Sequence, residues 1–127
     1  MARCSGRRIG RIIPPHRFEI YDGWFADTVK TLPPETRFAL IHFDGDLYQS
    51  TMDALVPLFQ RGMVSTGAVL LFDDWNANRA LPSTGERRAW RELVAEFDIE
   101  ASDCGDYSVA GKRFIIHSYR GIPADPE

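Results

Sequence analysis

Two apolar segments separated by a helical pattern constrain the fold of this chain more than any other feature of its sequence. The segments are residues 38–43 (FALIHF) and 68–72 (AVLLF), and both have the length and nearly continuous apolar character of strands that are covered on both faces. Residues 47–60, between them, repeat apolar side chains at helical spacing. A strand, a helix and a strand in this order predict two parallel strands joined by a crossover helix.

The remaining elements are shorter and are predicted from periodicity and turn residues. We expect a brief strand over residues 17–21, a short helix over 24–31, a longer helix over 86–97, and a hairpin of strands over 101–107 and 112–119. The whole pattern predicts an α/β domain with a mostly parallel sheet and an antiparallel C-terminal hairpin.

Charge is distributed unevenly and separates a basic arm from an acidic body. Residues 1–17 hold five arginines and no acidic residue, whereas the whole chain of 127 residues carries a net charge of −3. We expect residues 1–17 to form a poorly ordered arm, residues 18–121 a folded domain, and residues 122–127 a frayed tail. The acidic body argues against a general nucleic-acid binder, and no apolar stretch reaches the roughly 18 residues that span a membrane.

The cysteine content bounds the redox environment. The two cysteines, Cys4 and Cys104, are far apart in the sequence and form neither a disulfide framework nor a zinc-binding pattern. We therefore expect free thiols in a reducing compartment and a cytoplasmic location.

Both segments of the strand–helix–strand unit are followed by paired aspartates. The first is followed by Asp44 and Asp46, with Gly45 between them, and the second by Asp73 and Asp74. Because the carboxyl ends of neighbouring parallel strands meet at one edge of a sheet, we expect these four carboxylates to converge. Carboxylates this close raise one another's pKa unless a cation neutralises them, and an all-oxygen site suits Mg2+ or Mn2+. The glycine would let the backbone turn sharply between its two aspartates.

The same aspartates also have purely structural interpretations. Asp46 has capping-box spacing to Gln49 and can serve as the N-cap of the helix that follows, and Asp74 can cap a turn. Asp44 and Asp73 follow apolar runs directly, where an unpaired carboxylate is costly, so they are the stronger site candidates.

Residues beside the aspartates have less specific patterns. We interpret His42 as a buried, hydrogen-bonded core histidine. Trp75 and Asn76 are candidate substrate contacts that line a pocket, unless they only cover the sheet edge. Ser83 and Glu86 have the spacing of a capping box at the start of the helix over 86–97, and the arginines of that helix are predicted to form its solvated face.

Three motifs in this chain resemble those of a known family. They are residues 23–28 (GWFADT), 42–51 (HFDGDLYQST) and 67–75 (GAVLLFDDW). On these motifs the chain is similar to the macrocin O-methyltransferase-like family of class I methyltransferases. The resemblance implies a Rossmann-like sheet and transfer of a methyl group from S-adenosylmethionine (SAM) to a sugar hydroxyl of a natural product or polysaccharide, assisted by Mg2+ or Mn2+.

The resemblance also implies roles for individual residues. Asp44, Asp73 and Asp74 correspond to the metal ligands. Asp44 is the candidate general base, and Asp46 supports it or takes that role itself. Coordination to Mg2+ would lower the pKa of the acceptor hydroxyl, and the carboxylate would accept its proton before the oxygen attacks the methyl group in line.

The chain departs from the family's pattern in its first part. A class I methyltransferase begins with a strand and a glycine-rich loop that cradles the cofactor, and this sequence contains no G-x-G-x-x-G. We therefore expect residues 18–121 to be a partial methyltransferase domain, the C-terminal half of such an enzyme truncated at its N-terminus, either a fragment or a shortened relative. No residue is assigned to SAM, and unaided methyl transfer is not expected. An exposed sheet edge would favour a homo-oligomer or another association.

Two other functions fit part of the pattern. An Asp-x-Asp motif after an apolar strand also marks nucleotide-sugar glycosyltransferases and haloacid dehalogenase-type phosphatases. The phosphatase motif has Thr or Val where this chain has Tyr48, and the glycosyltransferase motif leaves Asp73 and Asp74 unexplained. The remaining alternative is a non-catalytic half-domain that binds metal or pairs with another chain through its sheet edge.

Overall fold

The structure, a computed structural model, describes residues 11–122, which form one mixed four-stranded sheet and three α-helices. The strands are β1 (Phe38–Phe43), β2 (Val64–Phe72), β3 (Glu100–Asp106) and β4 (Lys112–Ser118). The helices are α1 (Phe25–Thr28), α2 (Tyr48–Gln60) and α3 (Gly85–Phe97). The spatial order of the strands is β1-β2-β4-β3.

Several predictions about the chain ends concern residues that the structure does not describe. Residues 1–10 of the predicted arm, with Cys4, and residues 123–127 of the predicted tail lie outside the described residues. Cys104 lies on β3 as a free thiol. Within residues 11–122, none of the helices has both the length and the apolar character needed to cross a membrane.

The predicted strand–helix–strand unit is confirmed. β1 and β2 are parallel neighbours connected by α2, and Phe43 is aligned with Phe72 at their carboxyl ends. The parallel direction follows from the crossover helix, which carries the chain back to the end of the sheet where β1 began. This register decides which residues meet just beyond the two strands.

The sheet is mixed, because β4 runs opposite to the other three described strands. Of the ladders among residues 11–122, only β1–β2 is parallel, whereas β2–β4 and β3–β4 are antiparallel. The α/β class and the antiparallel C-terminal hairpin are therefore confirmed. β1, β2 and β3 run in the same direction, and β4, which lies between β2 and β3, makes two of the three ladders antiparallel. The physical reason is that the tight turn reverses the chain between β3 and β4, so β4 runs opposite to both of its neighbours.

The segment before β1 is less regular than predicted. Residues 17–21 do not form the predicted strand, and Pro15–Arg17 form a 3₁₀ turn ahead of them. The predicted helix over 24–31 consists of α1 followed by a 3₁₀ turn at Val29–Thr31. Leu32 is extended because it precedes a proline, which disfavours the helical conformation, and the helical segment ends there.

The core lies between one face of the sheet and the helix pair α2 and α3. Its aromatic centre is Phe59 of α2, whose ring centroid lies 6.0 Å from that of Phe97 and 6.3 Å from that of Trp90 on α3. Buried residues of the strands close the core from below: Leu70, Phe72, Phe114 and Ile116. The buried apolar residues of α3 recur at helical spacing, so the core covers one face of this helix.

β1 is covered on one face only, which corrects the expectation from its apolar run. Leu40 is 59% exposed, whereas Phe43 is buried. Because α2 and α3 pack against each other on the same side of the sheet, no described element covers the opposite side of β1. β1 is also the last strand of the sheet, so its outer edge has no neighbouring strand among the residues described.

Candidate metal centre

Three carboxylates meet just beyond the carboxyl ends of β1 and β2. The alignment of Phe43 with Phe72 puts Asp44 beside Asp73, and the backbone amide of Asp73 donates a 3.0 Å hydrogen bond to the carbonyl of Phe43. One oxygen from each of Asp44, Asp73 and Asp74 lies within 4.8 Å of the other two. We call these three residues the carboxylate cluster. The parallel register predicted from the sequence is what brings them together.

The loop between β1 and α2 differs from its predicted conformation. The left-handed residue is Asp46, with a φ of 61°, and not Gly45. The glycine is required for space instead, because a Cβ atom there would lie 2.3 Å from Cζ of Phe43. The predicted N-cap role of Asp46 is wrong, since Leu47 is the N-cap. The side-chain amide of Gln49, the predicted partner in the capping box, donates instead to the carboxylate of Asp53 at 2.8 Å. A left-handed residue cannot take the extended conformation of an N-cap.

Asp46 therefore contributes to the electrostatics of the cluster. The proximity of its carboxyl group, followed by burial and the proximity of Asp44, raises the pKa of Asp74 to about 7. Oδ2 of Asp74 is buried without a hydrogen-bond partner in the described structure. Mutually repelling carboxylates with an orphaned oxygen are the arrangement that a hard divalent cation stabilises, so the donor set fits Mg2+ or Mn2+.

Glu86 is a fifth acidic residue at this site, and it does not form the predicted capping box. The N-cap of α3 is Thr84, not Ser83, and its side chain makes no capping hydrogen bond. Glu86 is only 1% exposed, and its Oε2 accepts a 3.1 Å hydrogen bond from the backbone amide of Asp74. Burial raises the pKa of Glu86 to about 8. Because Glu86 has capping-box spacing to Ser83, its sequence pattern indicated a helix cap. Nothing else in the sequence indicated its contact with Asp74.

Asp73 has different surroundings from Asp74. Its Oδ1 accepts a 2.9 Å hydrogen bond from the hydroxyl of Tyr107 and lies 3.3 Å from Nε2 of His42. These contacts, the first above all, lower the pKa of Asp73. His42 is hydrogen-bonded as predicted, but it is exposed and not buried, because it lies on the uncovered face of β1. Tyr107 was missed, since nothing in its local sequence indicates that the β3–β4 turn reaches the aspartates.

A cleft of about 430 Å³ opens beside the cluster, between the first turns of α2 and α3 and the loop that connects β2 to α3. Its lining includes charged and aromatic side chains: Asp46, Tyr48, Asp74, Trp75, Glu86 and Arg88. Of the two predicted substrate contacts, Trp75 lines this cleft. Asn76 instead holds the loop against the hairpin, through its amide nitrogens and the carbonyls of Val109 and Ala110.

Two arginines of α3 make contacts around the cleft rather than forming a solvated face: Arg88 lines the cleft, and Arg87 holds the loop that borders it. Arg87 donates to the carbonyl of Trp75 at 3.1 Å and to Oδ1 of Asn76 at 2.7 Å, and its guanidinium lies 5.2 Å from the indole centroid. Arg88 lies 4.0 Å from the ring centroid of Tyr48. Arg91 is exposed as predicted. Helical periodicity directs Arg87 toward the loop and Arg88 toward α2. The charge of these residues alone did not distinguish them from Arg91.

Tyr48 and Arg88 are joined by a third residue. Both donate hydrogen bonds to the carboxylate of Glu92, Arg88 at 3.0 Å. The three side chains connect the first turn of α2 to α3 and fix the width of the cleft at that side. Tyr48 is therefore engaged in a structural contact at the position where a phosphatase motif has Thr or Val.

Comparison with known proteins finds a family and several relatives that are similar to this chain. Residues 14–102 match the family described as Macrocin-O-methyltransferase (TylF). Demethyldecarbamoylnovobiocin O-methyltransferase of Streptomyces niveus is 45% identical over 53 residues, which are 42% of this chain and 19% of that protein. Mycinamicin III 3''-O-methyltransferase of Micromonospora griseorubida is 43% identical over 79 residues, 60% of this chain and 30% of that protein.

A third relative has the same type of activity in its name. It is 8-demethyl-8-(2,3-dimethoxy-alpha-L-rhamnosyl)-tetracenomycin-C 4'-O-methyltransferase of Streptomyces olivaceus, 41% identical over 73 residues, which are 58% of this chain and 26% of that protein. The chain thus matches less than a third of the length of these three relatives. All three names describe O-methyltransferases, and the family match extends over the whole β1–α2–β2 unit and α3.

Proposed function

Since the chain belongs to the macrocin O-methyltransferase family, we propose that it carries the metal-binding and acceptor-binding side of a SAM-dependent, Mg2+-assisted O-methyltransferase. The acceptor in this proposal is a small molecule that presents a sugar hydroxyl. The observation that carries the proposal is the approach of Asp44, Asp73 and Asp74 to within 4.8 Å at the ends of two parallel strands.

In this proposal the carboxylate cluster holds the divalent cation, and Asp46 assists in accepting the proton. When bound, the cation would lower the pKa of a hydroxyl group at the site. Asp44 is then the candidate base for the hydroxyl proton, and Asp46, on the same loop, is the other. Tyr107 and His42 hold Asp73 in place by hydrogen bonds, so that its carboxylate stays ionised and oriented. The methyl group would come from SAM when it is bound, and no residue of the described chain is assigned to that cofactor.

The cleft beside the cluster is the proposed site of the acceptor. Its volume of about 430 Å³ lies in the usual range for small-molecule sites, and Trp75 gives it an aromatic wall beside Asp74. An indole and several polar groups suit a sugar, which has both apolar C–H faces and hydroxyls. Trp75 is therefore the proposed acceptor contact, and Asn76 acts through the loop that it anchors.

The metal part of the proposal is tested by titrating the full chain with Mn2+. We expect Asp44→Asn and Asp73→Asn to weaken binding at least tenfold, because each removes one anionic ligand. Asp53→Asn is the matched control, since this residue lies on α2 and contacts Gln49 rather than the cluster. Equal affinity in all four proteins would overturn the site.

The reaction is tested by incubating the chain with SAM, Mg2+ and glycosylated acceptors and measuring the mass gain of one methyl group by mass spectrometry. Methyl transfer that requires both Mg2+ and Asp44 supports the proposal. Acceptor binding that requires Mg2+ but gives no methyl transfer supports the same role for this part of the enzyme, whereas metal binding without acceptor binding would favour a non-catalytic metal-binding domain.

A further inference from the structure

We propose that Glu86 is a positioning residue for the carboxylate cluster, which it serves by holding the backbone of Asp74 in place. The inference rests on the proposed function in one respect, since it concerns the affinity of the cluster for a cation. The geometry that supports it belongs to the chain alone. Glu86 lies behind Asp74, on α3, while the cluster itself is built from the ends of β1 and β2.

The burial of Glu86 needs an explanation that ordinary helix chemistry does not provide. A carboxylic acid that is 99% buried is costly unless it is hydrogen-bonded or paired with a cation. The neighbouring arginines do not pair with it, because Arg87 contacts Trp75 and Asn76, and Arg88 contacts Tyr48 and Glu92. The hydrogen bond that Glu86 does make is the one from the amide of Asp74, at 3.1 Å.

That hydrogen bond acts on the part of Asp74 that decides where its carboxylate points. The amide belongs to the turn that leaves β2, where the backbone no longer has ladder partners to fix it. If the acceptor were removed, the amide of this half-buried residue would have no hydrogen-bond partner, and the turn would gain conformational freedom. Holding it restricts the position of the Asp74 side chain, which supplies one oxygen of the cluster.

A second observation places the first turn of α3 directly against the acidic loop after β1. A Cβ atom on Gly85 would lie 3.5 Å from the carbonyl oxygen of Asp46. Oε1 of Glu86 is buried without a hydrogen-bond partner in the described structure, as is Oδ2 of Asp74. One oxygen of Glu86 thus accepts from the Asp74 amide while the other is buried without a partner, so this side chain is oriented toward the end of β2 and does not merely fill the core.

Two variants of the full chain separate positioning from direct ligation. Glu86→Gln keeps an acceptor oxygen for the Asp74 amide and removes the negative charge, whereas Glu86→Leu removes the acceptor at similar volume. We expect Mn2+ affinity within about threefold of the parent for Glu86→Gln and about 10- to 100-fold weaker for Glu86→Leu. Glu96→Gln, at an exposed position of the same helix, is the matched control and should bind like the parent.

The second readout is hydrogen exchange of the Asp74 amide by NMR, in the absence of metal. Protection should be retained in Glu86→Gln and lowered at least tenfold in Glu86→Leu. Affinity in Glu86→Leu equal to the parent's would overturn the proposal, and so would a loss of at least tenfold in Glu86→Gln, which would indicate direct ligation. If Glu86→Leu does not fold, hydrogen exchange in the parent chain tests the proposal instead. An Asp74 amide that exchanges there as fast as in an unstructured peptide would contradict it.

These readouts also separate the two proposals. If the parent chain does not bind Mn2+, the metal-assisted function fails, while protection of the Asp74 amide still tests the role of Glu86. If Mn2+ binds and the amide is unprotected, the positioning role fails and the metal site stands.

Discussion

The hydroxyl group of Tyr107 donates a 2.9 Å hydrogen bond to Oδ1 of Asp73, across 34 positions of the sequence. This contact joins the turn of the C-terminal hairpin to the end of β2. It also contributes most to the lowered pKa of Asp73. The antiparallel hairpin, which has no part in the strand–helix–strand unit, therefore stabilises the ionised form of one member of the carboxylate cluster.

Replacing Tyr107 by Phe should weaken Mn2+ binding by about tenfold and raise the pKa of Asp73, since a hydrogen bond that favours the carboxylate is lost. Titration of the Asp73 carboxyl carbon by NMR and a Mn2+ titration at neutral pH measure the two effects. Tyr21→Phe is the control, because the side chain of that residue interacts with Glu19 and not with the cluster. Unchanged affinity in Tyr107→Phe would show that the contact does not position Asp73.

The metal-free chain should lose stability as pH rises from 5.5 to 8.5. Asp74 and Glu86 have pKa values raised to about 7 and about 8, above their usual values, so the folded state binds more protons than the unfolded state in this range. Their protonated forms contribute stability that disappears as the pH passes through these pKa values. Asp73, with a lowered pKa, loses its contribution only at lower pH, as it becomes protonated. We expect the thermal midpoint to fall by roughly 5 °C.

Two comparisons check the origin of that pH dependence. Asp74→Asn should reduce it and leave the part that is due to Glu86, because the substituted side chain does not titrate. Added Mg2+ should raise the thermal midpoint more at pH 8.5 than at pH 5.5, since the cation competes with the protons on these acids. A midpoint that rises with pH in the metal-free parent would contradict the assignment.

Replacing Gly45 by Ala should lower the free energy of unfolding by about 1–3 kcal/mol, because the new methyl group would overlap the ring of Phe43. That ring is buried and packs against Phe25 and Phe72, with centroids 5.8 and 6.4 Å away, so it cannot move freely. Urea unfolding measures the loss. In a Phe43→Leu background the same substitution should cost less, and additive effects of the two changes would refute the overlap.

Replacing Arg87 by Ala should cost about 1–2 kcal/mol of unfolding free energy, because it removes two hydrogen bonds to the cleft loop and the contact with the indole of Trp75. Arg91→Ala, an exposed position on the same helix, should change stability by no more than about 0.5 kcal/mol. Equal losses in the two variants would mean that the contacts of Arg87 with the cleft loop do not stabilise the fold.

Local patterns predicted the centre of the fold well. The strand–helix–strand unit, α3 and the C-terminal hairpin follow from periodicity and turn residues, and the paired aspartates are found where the parallel register requires. The strand predicted over residues 17–21 failed, because a short apolar alternation does not form a strand without a neighbour to pair with. The prediction that both faces of β1 are covered was wrong, because both long helices lie on one side of the sheet.

The sequence by itself determined which carboxylates would meet, since a strand ending in aspartate and a crossover helix place them at one edge of the sheet whatever else surrounds them. Only the tertiary structure decided what holds them there. Glu86 behind Asp74 and Tyr107 beside Asp73 come from α3 and from the hairpin, elements whose placement depends on packing against the core. Hydrogen bonds between residues distant in the chain leave no periodic signal, because their partners are brought together by the burial of other side chains.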